Sequence, residues 1–171
     1  MVKKGGGILP VAIKNNEIYF LFSREGMIPK TKISGKWSDF GGSHENNETV
    51  FQTAVREGFE ESNNMFESID ILKDTIKRNW ITSIQTKTYT TYLFKIDYDD
   101  NLPEKFEQDY NKVLHDNEEL VLKHNGLYEK DRVKWIKLED ILEHKHEFRV
   151  WYIPILFKIK FYFENLYCYK L

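Results

Sequence analysis

GGSHENNE (residues 41–48) and REGFEE (residues 56–61) place two glycines ahead of a helical segment that ends in a cluster of carboxylates. If residues 49–63 form a helix that turns about 100° per residue, Glu57, Glu60 and Glu61 lie within an arc of roughly 100° on one face. The opposite face is apolar and carries Phe51, Val55 and Phe59. Like charges at this spacing destabilise a helix unless another group offsets them, and Mg²⁺ prefers oxygen ligands. The segment therefore predicts a helix with one face in the core and the other face holding a divalent cation.

The charged positions of this stretch resemble the Nudix box, the signature of the Nudix hydrolase family. The signature reads Gly, five residues, Glu, seven residues, and then Arg-Glu-apolar-x-Glu-Glu-x-Gly-apolar. Its first glycine and all its charged positions are matched at the same spacing, by Gly42, Glu48, Arg56, Glu57, Glu60 and Glu61. Chemically constrained residues rarely adopt such a fixed spacing by chance.

Three positions depart from the signature, and each of them is a structural position. Gly58 replaces an apolar residue at a cost in helix propensity of about 1 kcal/mol relative to Ala, which predicts a close approach by another backbone. Asn63 replaces the second glycine and is the next best residue for a left-handed helix end. Asn64 replaces the last apolar residue, whose contact Met65 or Phe66 can supply.

The resemblance implies both a fold and a metal site. The expected fold is an α/β/α sandwich with a central mixed β-sheet, formed as one domain by residues 1–171. The expected cofactor is Mg²⁺ or Mn²⁺, with ligands from Glu57, Glu60, Glu61 and the carbonyl of Gly42. Arg56 is expected to orient these carboxylates, in part through Glu48. The alternative for this helix face is a solvated set of charges held by ion pairs.

The implied reaction is metal-assisted hydrolysis of the diphosphate linkage of a nucleoside diphosphate joined to another moiety. Capped mRNA and diphosphoinositol polyphosphates are alternative substrates. A catalytically weak nucleotide-binding module on the same fold is the alternative from another class. A third hypothesis is an interaction protein that uses the aromatic carboxyl-terminal segment.

The general base remains open between several glutamates. The resemblance implies either a box glutamate or one from a later loop, and Glu129 precedes Trp135 in a way that resembles the later position. Glu118 and Glu119 are rivals. Each of these later acids can equally be an ordinary surface residue, because a base must also reach the attacking water.

Substrate contacts are expected from residues that precede the box. The basic candidates for phosphate contacts are Arg24, Lys30, Lys32 and Lys36. Phe40 stands where Nudix proteins often have proline, and it is a candidate for substrate binding. The aromatic residues Trp37, Phe40, Trp80 and Tyr92 can instead belong to the core.

Composition narrows the class of protein. The chain of 171 residues is 41% hydrophobic and 30% charged, as is typical of a globular domain, and its net charge of −2 argues against non-specific nucleic-acid binding. Cys168 is the single cysteine, so no disulfide framework forms within the chain. The sequence predicts no signal peptide and no membrane-spanning run, and we expect a cytoplasmic protein.

Hydrophobic periodicity predicts the remaining elements. Strands are expected at residues 8–13, 18–22, 36–40, 80–84, 87–98 and 132–138, with Pro10 marking an edge or a bulge. Residues 23–35 and 124–131 are predicted loops. Residues 103–122 are predicted to form a helical insertion on the rim of the substrate pocket, and a helix is expected to begin within 139–144. Residues 150–171 are predicted to form a closing helix or, alternatively, a surface for homodimerisation.

Overall fold

A seven-stranded mixed sheet forms the centre of the protein, in a computed structural model that describes residues 4–45, 47–123 and 125–167. The strands are β1 (Gly5–Lys14), β2 (Glu17–Glu25), β3 (Trp37–Ser38), β4 (Phe40–Ser43), β5 (Trp80–Gln85), β6 (Tyr89–Lys95) and β7 (Lys130–Lys137). The main order is β3-β2-β1-β6-β5, while β4 pairs with β1 and β7 pairs with β2. The β1–β6 pairing is parallel and the other pairings are antiparallel, which confirms the predicted mixed sheet.

Strand β1 lies in the middle of the sheet, so the predicted edge or bulge at Pro10 is wrong. Residues 5–8 pair with β4, residues 11–14 pair with β2, and β6 runs along the other side. Pro10 lies between the two antiparallel pairings, where the neighbouring strand changes. A central strand tolerates proline there, because no antiparallel partner faces the residue that lacks an N–H.

Among the described residues, five α-helices cover the sheet: α1 (Val50–Glu61), α2 (Ile69–Arg78), α3 (Leu102–Asp116), α4 (Glu118–Leu122) and α5 (Ile153–Tyr162). Thr49 caps the start of α1 and forms a capping box with Gln52. The chain leaves α1 through Asn63 and Asn64, which both have positive φ angles of 45° and 66°. The prediction that Asn63 replaces a helix-ending glycine is therefore confirmed.

Alternation along the strands sorts the apolar side chains into two cores. Ile8 and Leu21 point to the face covered by α1, α2 and α3, whereas Leu9 and Phe20 point to the face covered by α5. Met65 and Phe66 pack against the first of these cores, as predicted. The architecture is an α/β/α sandwich, as the sequence predicts.

The region after β7 differs from the prediction. Residues 138–144 form turns instead of a helix, and short 3₁₀ segments at Lys145–Glu147 and Val150–Tyr152 lead into α5. A π-helical turn, Phe163–Tyr167, follows α5. The rest of the predicted closing helix, residues 168–171 with Cys168, lies outside the described residues, as does His124.

Three further expectations need correction. Strand β2 continues through Glu25, so the predicted loop 23–35 begins later. Trp80 is 57% exposed and does not belong to the core. The predicted helical insertion is present as α3 and α4, but α3 packs on β7. The rim of the cleft beside α1 is formed instead by Asn125, Gly126 and Glu129, from the loop that follows α4.

No helix in the parts of the chain that the structure describes has the length and apolar character needed to cross a membrane.

Candidate active site

Arg56 is the centre of the charged cluster on α1. Its Nε donates to Glu48 Oε1 at 2.7 Å, and its Nη1 donates to Glu57 Oε1 at 3.0 Å and to Glu60 Oε2 at 3.1 Å. Nη2 also donates to the carbonyl of Ser43 at 3.3 Å. Hydrogen bonds from Arg56 lower the pKa of Glu48 to about 2. The guanidinium therefore contacts three carboxylates at once, as expected for a residue that orients them.

An acidic cleft of about 650 Å³ opens beside this cluster, and Glu57, Glu60 and Glu129 line it together with Gly42. Burial raises the pKa of Glu57, and the nearby charges of Glu60 and Glu129 act in the same direction while Arg56 opposes them. Glu129 Oε1 accepts a hydrogen bond from the Gly126 N–H at 2.8 Å. The structure thus brings Glu129 to the site. Glu118 and Glu119 are exposed on α4 and do not line the cleft.

Glu61 lies in a different environment from Glu57 and Glu60, because its side chain is almost fully buried. Its Oε2 accepts a hydrogen bond from the Gly41 N–H at 2.6 Å, and its Oε1 lies 3.1 Å from Lys130 Nζ. Burial raises the pKa of Glu61 to about 8, although Lys130 and Arg149 act in the opposite direction. Both carboxyl oxygens therefore already have partners within the protein.

Sequence reasoning missed an ion-pair network at the cleft that joins Lys130, Glu25 and Arg149. Glu25 and Arg149 form part of the cleft wall. Lys130 is fully buried, and its Nζ lies 2.7 Å from Glu25 Oε2, which Arg149 Nη2 also contacts. Burial acts to raise the pKa of Glu25, but the two cations outweigh it and the net pKa is lowered. No sequence pattern distinguishes Lys130 from the exposed lysines, since its partner Glu25 lies 105 positions away in the chain.

Another buried acid, Asp39, lies next to the paired glycines. It accepts hydrogen bonds from Tyr89 Oη at 2.9 Å and from Thr91 Oγ1 at 2.8 Å. Burial raises the pKa of Asp39 to about 6, although these hydrogen bonds act in the opposite direction. This group was also missed, because only the β1–β6 pairing brings Tyr89 and Thr91 beside β4.

The predicted substrate contacts from Arg24, Lys36 and Phe40 are not brought into the cleft. Arg24 forms two hydrogen bonds to Asp131 at 2.8 and 2.7 Å, and Lys36 Nζ donates to the His146 carbonyl at 3.2 Å. Phe40 has no exposed surface and packs near Phe106, so its predicted role in substrate binding is wrong. The alternative expectation, that Phe40 is a core residue, is confirmed. Lys30 and Lys32 are exposed on the loop that follows β2.

The donor set of the cleft fits a hard divalent cation in its chemistry. Three carboxylates raise the local negative charge, and a Cβ on Gly42 would collide with the Glu57 carboxylate, so the Gly42 backbone lies directly against it. In the described ranges, however, no three acidic, His or Cys side chains converge closely enough to hold a metal as they stand. Arg56 forms hydrogen bonds to both Glu57 and Glu60, and Lys130 forms an ion pair with Glu61. Glu57 and Glu60 line the cleft and can supply metal ligands directly, whereas Glu61 must first break its ion pair with Lys130.

Comparisons with known proteins agree with this architecture. No protein-family model matches the chain. Over 64 residues it is 45% identical to Uncharacterized protein L534 of Acanthamoeba polyphaga mimivirus, a match that covers 37% of this chain but only 20% of that protein.

Solved structures extend the comparison to nearly the whole chain. An Ap4A hydrolase from C. elegans in a binary complex has a TM-score of 0.55 at 17% identity, covering 96% of this chain and 100% of that one. A NUDIX hydrolase from Nitrosomonas europaea has a TM-score of 0.47 at 18% identity, covering 96% of this chain and 72% of that one. The chain therefore has a Nudix-like α/β/α fold, shared with the first of these structures, and its box residues Arg56, Glu57, Glu60 and Glu61 lie on α1.

Proposed function

We propose that the protein is a divalent-metal-dependent hydrolase that cleaves the diphosphate linkage of a nucleoside diphosphate joined to another moiety. The observation that carries the proposal is the convergence of Glu57, Glu60 and Glu129 in one cleft beside Gly42, with Arg56 orienting the first two. A cluster of this kind repels itself in the absence of a cation, and a diphosphate brings a cation to such a site as its counter-charge.

Each residue of the cleft has a distinct part in this proposal. Mg²⁺ or Mn²⁺ would be held by Glu57, Glu60 and the carbonyl of Gly42. Glu61 would become a further ligand if its ion pair with Lys130 breaks. When bound, the cation supplies Lewis-acid polarisation of the phosphate and lowers the pKa of an attacking water. Arg56 keeps Glu57 and Glu60 in place through charge-assisted hydrogen bonds, which are stronger than those of a neutral donor.

We propose Glu129 as the general base, because it reaches the cleft from the loop before β7 and not from the metal-binding helix. A base on a separate element can accept a proton without giving up a metal contact. The hydrogen bond from the Gly126 N–H fixes the position of the Glu129 carboxylate, whose side chain lines the cleft.

The proposal is tested by measuring phosphate and pyrophosphate release from a panel of substrates with Mg²⁺, with Mn²⁺ and with EDTA. The panel contains nucleoside polyphosphates, Ap4A, dinucleotides, capped RNA and a diphosphoinositol polyphosphate. Ap4A is included because a fold neighbour is an Ap4A hydrolase. We expect metal-dependent release from at least one nucleotide-containing substrate.

Two substitutions test the assigned residues in the same assay. Glu57→Gln and Glu61→Gln should each lower turnover about 100-fold or more, because several kcal/mol of transition-state stabilisation depend on the cation. Glu67→Gln, at an exposed position outside the cleft, is the matched control. Wild-type turnover in Glu57→Gln would show the metal assignment to be wrong. If no substrate is hydrolysed while nucleotides still bind, the protein is a binding module.

A cytoplasmic location is part of the proposal. Its support is the single cysteine of the chain, which is typical of a reducing compartment and allows no internal disulfide.

A further inference from the structure

A second cavity of about 490 Å³ adjoins the acidic cleft on the other side of the paired glycines. The two cavities share Gly41, Gly42, Ser43 and Arg149 in their walls, so they lie on either side of β4. The volume lies within the roughly 300–1,000 Å³ of ordinary small-molecule sites. A ligand that crosses the glycines can therefore occupy both cavities at once.

The wall of the second cavity contains the exposed indole of Trp151, which packs against buried aromatic rings. Trp151 is 44% exposed, and its ring packs edge-to-face on the buried rings of Tyr89 at 4.8 Å and Tyr152 at 5.5 Å. Tyr89 is itself fixed by its hydrogen bond to the buried Asp39. An aromatic platform held in this way loses little conformational entropy when a flat group stacks on it.

Cationic side chains line the same cavity. Lys4 and Lys87 are exposed at its rim, and neither has an ion-pair partner in the chain as far as it is described. Arg149 also lines the cavity, and its Nε is buried without a hydrogen-bond partner among the described atoms. The acidic cleft lies on one side of Gly42, and Lys4 and Lys87 lie on the other side. A ligand with phosphate groups and a flat aromatic ring complements this pattern.

We propose that the second cavity binds the nucleoside end of the substrate, with the nucleobase stacked on Trp151 and a phosphate facing Lys4 and Lys87. The proposal rests on the proposed function, because it places the diphosphate at Gly42 and the leaving moiety in the acidic cleft. A neutral lipid would leave the lysines unused, and inorganic phosphate alone would leave the indole without a stacking partner. The nucleotide uses both features.

The test is calorimetric binding of AMP, adenosine and ribose 5-phosphate in EDTA, where no turnover occurs. Trp151→Ala should weaken AMP binding about 5- to 100-fold, because stacking on an aromatic side chain contributes about 1–3 kcal/mol per base. Trp151→Phe should retain part of the affinity. Trp80→Ala is the matched control, since Trp80 is also exposed but lines neither cavity.

The lysines are tested with the same three ligands. Lys4→Gln together with Lys87→Gln should weaken AMP binding and leave adenosine binding unchanged, because only AMP carries a phosphate. Lys95→Gln, an exposed lysine outside the cavity, is the control.

The outcomes separate this proposal from the proposed function. If wild-type protein does not bind AMP, or if folded Trp151→Ala binds AMP as tightly as wild type, the nucleoside site is wrong, even where metal-dependent hydrolysis is observed. Equal affinity for AMP and ribose 5-phosphate also overturns it, because the base then contributes nothing. If AMP binding depends on Trp151 but no substrate is hydrolysed, the nucleoside site stands and the hydrolase proposal fails.

Discussion

At the scale of single residues, the carboxylates of the Nudix-like box are not equivalent, although they lie within one helix. Glu57 and Glu60 share the Arg56 guanidinium at the edge of the cleft, whereas Glu61 is buried between the Gly41 N–H and Lys130. Their different surroundings follow from the helix geometry, because Glu61 lies further toward the sheet than Glu60 does. Glu129 completes the acidic set from a loop.

The proposed role of Glu129 as general base leads to a specific prediction. Glu129→Gln should lower kcat about 10²- to 10⁴-fold, because the amide cannot accept the proton. Mn²⁺ affinity, measured by electron paramagnetic resonance, should change little. A large parallel loss of Mn²⁺ affinity would instead make Glu129 a ligand. Glu118→Gln, at an exposed position on α4, should leave both quantities as in wild type.

At the scale of elements, α1 and β1 approach closely at Gly58. The sequence predicts a neighbouring backbone there, but the neighbour is a side chain, because a Cβ on Gly58 would lie 2.5 Å from Ile8 Cδ1 and 2.6 Å from its Cγ1. The glycine thus lets α1 lie close to the central strand. This contact also sets the distance between the box carboxylates and Gly42 on β4.

Gly58→Ala should destabilise the protein by about 1–3 kcal/mol, because the overlap with Ile8 outweighs the gain of about 1 kcal/mol in helix propensity. Ile8→Ala alone should cost about 2–5 kcal/mol. The double variant should be less destabilised than the sum of the two by about 1 kcal/mol or more, measured by urea unfolding. Leu9→Ala is the control, since Leu9 points to the other core and should combine additively with Gly58→Ala. Additivity with Ile8→Ala as well would contradict the contact.

At the scale of the whole molecule, buried acids make stability depend on pH. The pKa of Asp39 is raised from 3.8 to about 6 in the folded protein. Since the folded state binds the proton more tightly, the stabilisation by this group is complete below about pH 4 and is lost as the pH rises toward about 6.

Asp39→Asn removes this titration while keeping the shape of the side chain. Relative to wild type, the free energy of unfolding of the variant should rise between about pH 4 and pH 6, by up to about 3 kcal/mol. Urea unfolding at several pH values measures the difference, and the exposed Asp74→Asn should show no such change. A difference that does not vary with pH would exclude Asp39 as the titrating group.

Self-association through the aromatic carboxyl-terminal segment remains a prediction at this scale. Phe157 and Phe161 expose much of their rings on α5, so apolar surface is available for a second copy. If they form a homodimer, sedimentation velocity should depend on concentration in wild type and lose that dependence in Phe161→Glu. Trp80→Glu, which changes an exposed aromatic residue elsewhere, should behave as wild type does.

The sequence by itself determined the features that depend on short separations along the chain. The spacing of the box placed Glu57, Glu60 and Glu61 on one face of α1, the asparagines predicted its left-handed end, and the alternation of apolar residues predicted most strands. These features follow from the periods of helix and strand, which act over a few residues. The Arg56–Glu48 pair could also be predicted from the sequence, because the two residues are only eight positions apart.

Only the tertiary structure decided what surrounds those residues. Lys130 meets Glu25 across a separation of 105 positions, and Arg149 meets it across 124, so no local pattern could show that Glu61 lies in a buried ion-pair network. The same holds for Trp151, whose position beside Tyr89 makes it a wall of the second cavity. Burial and charge pairing arise from contacts between distant segments, and sequence periodicity carries no information about which segments meet.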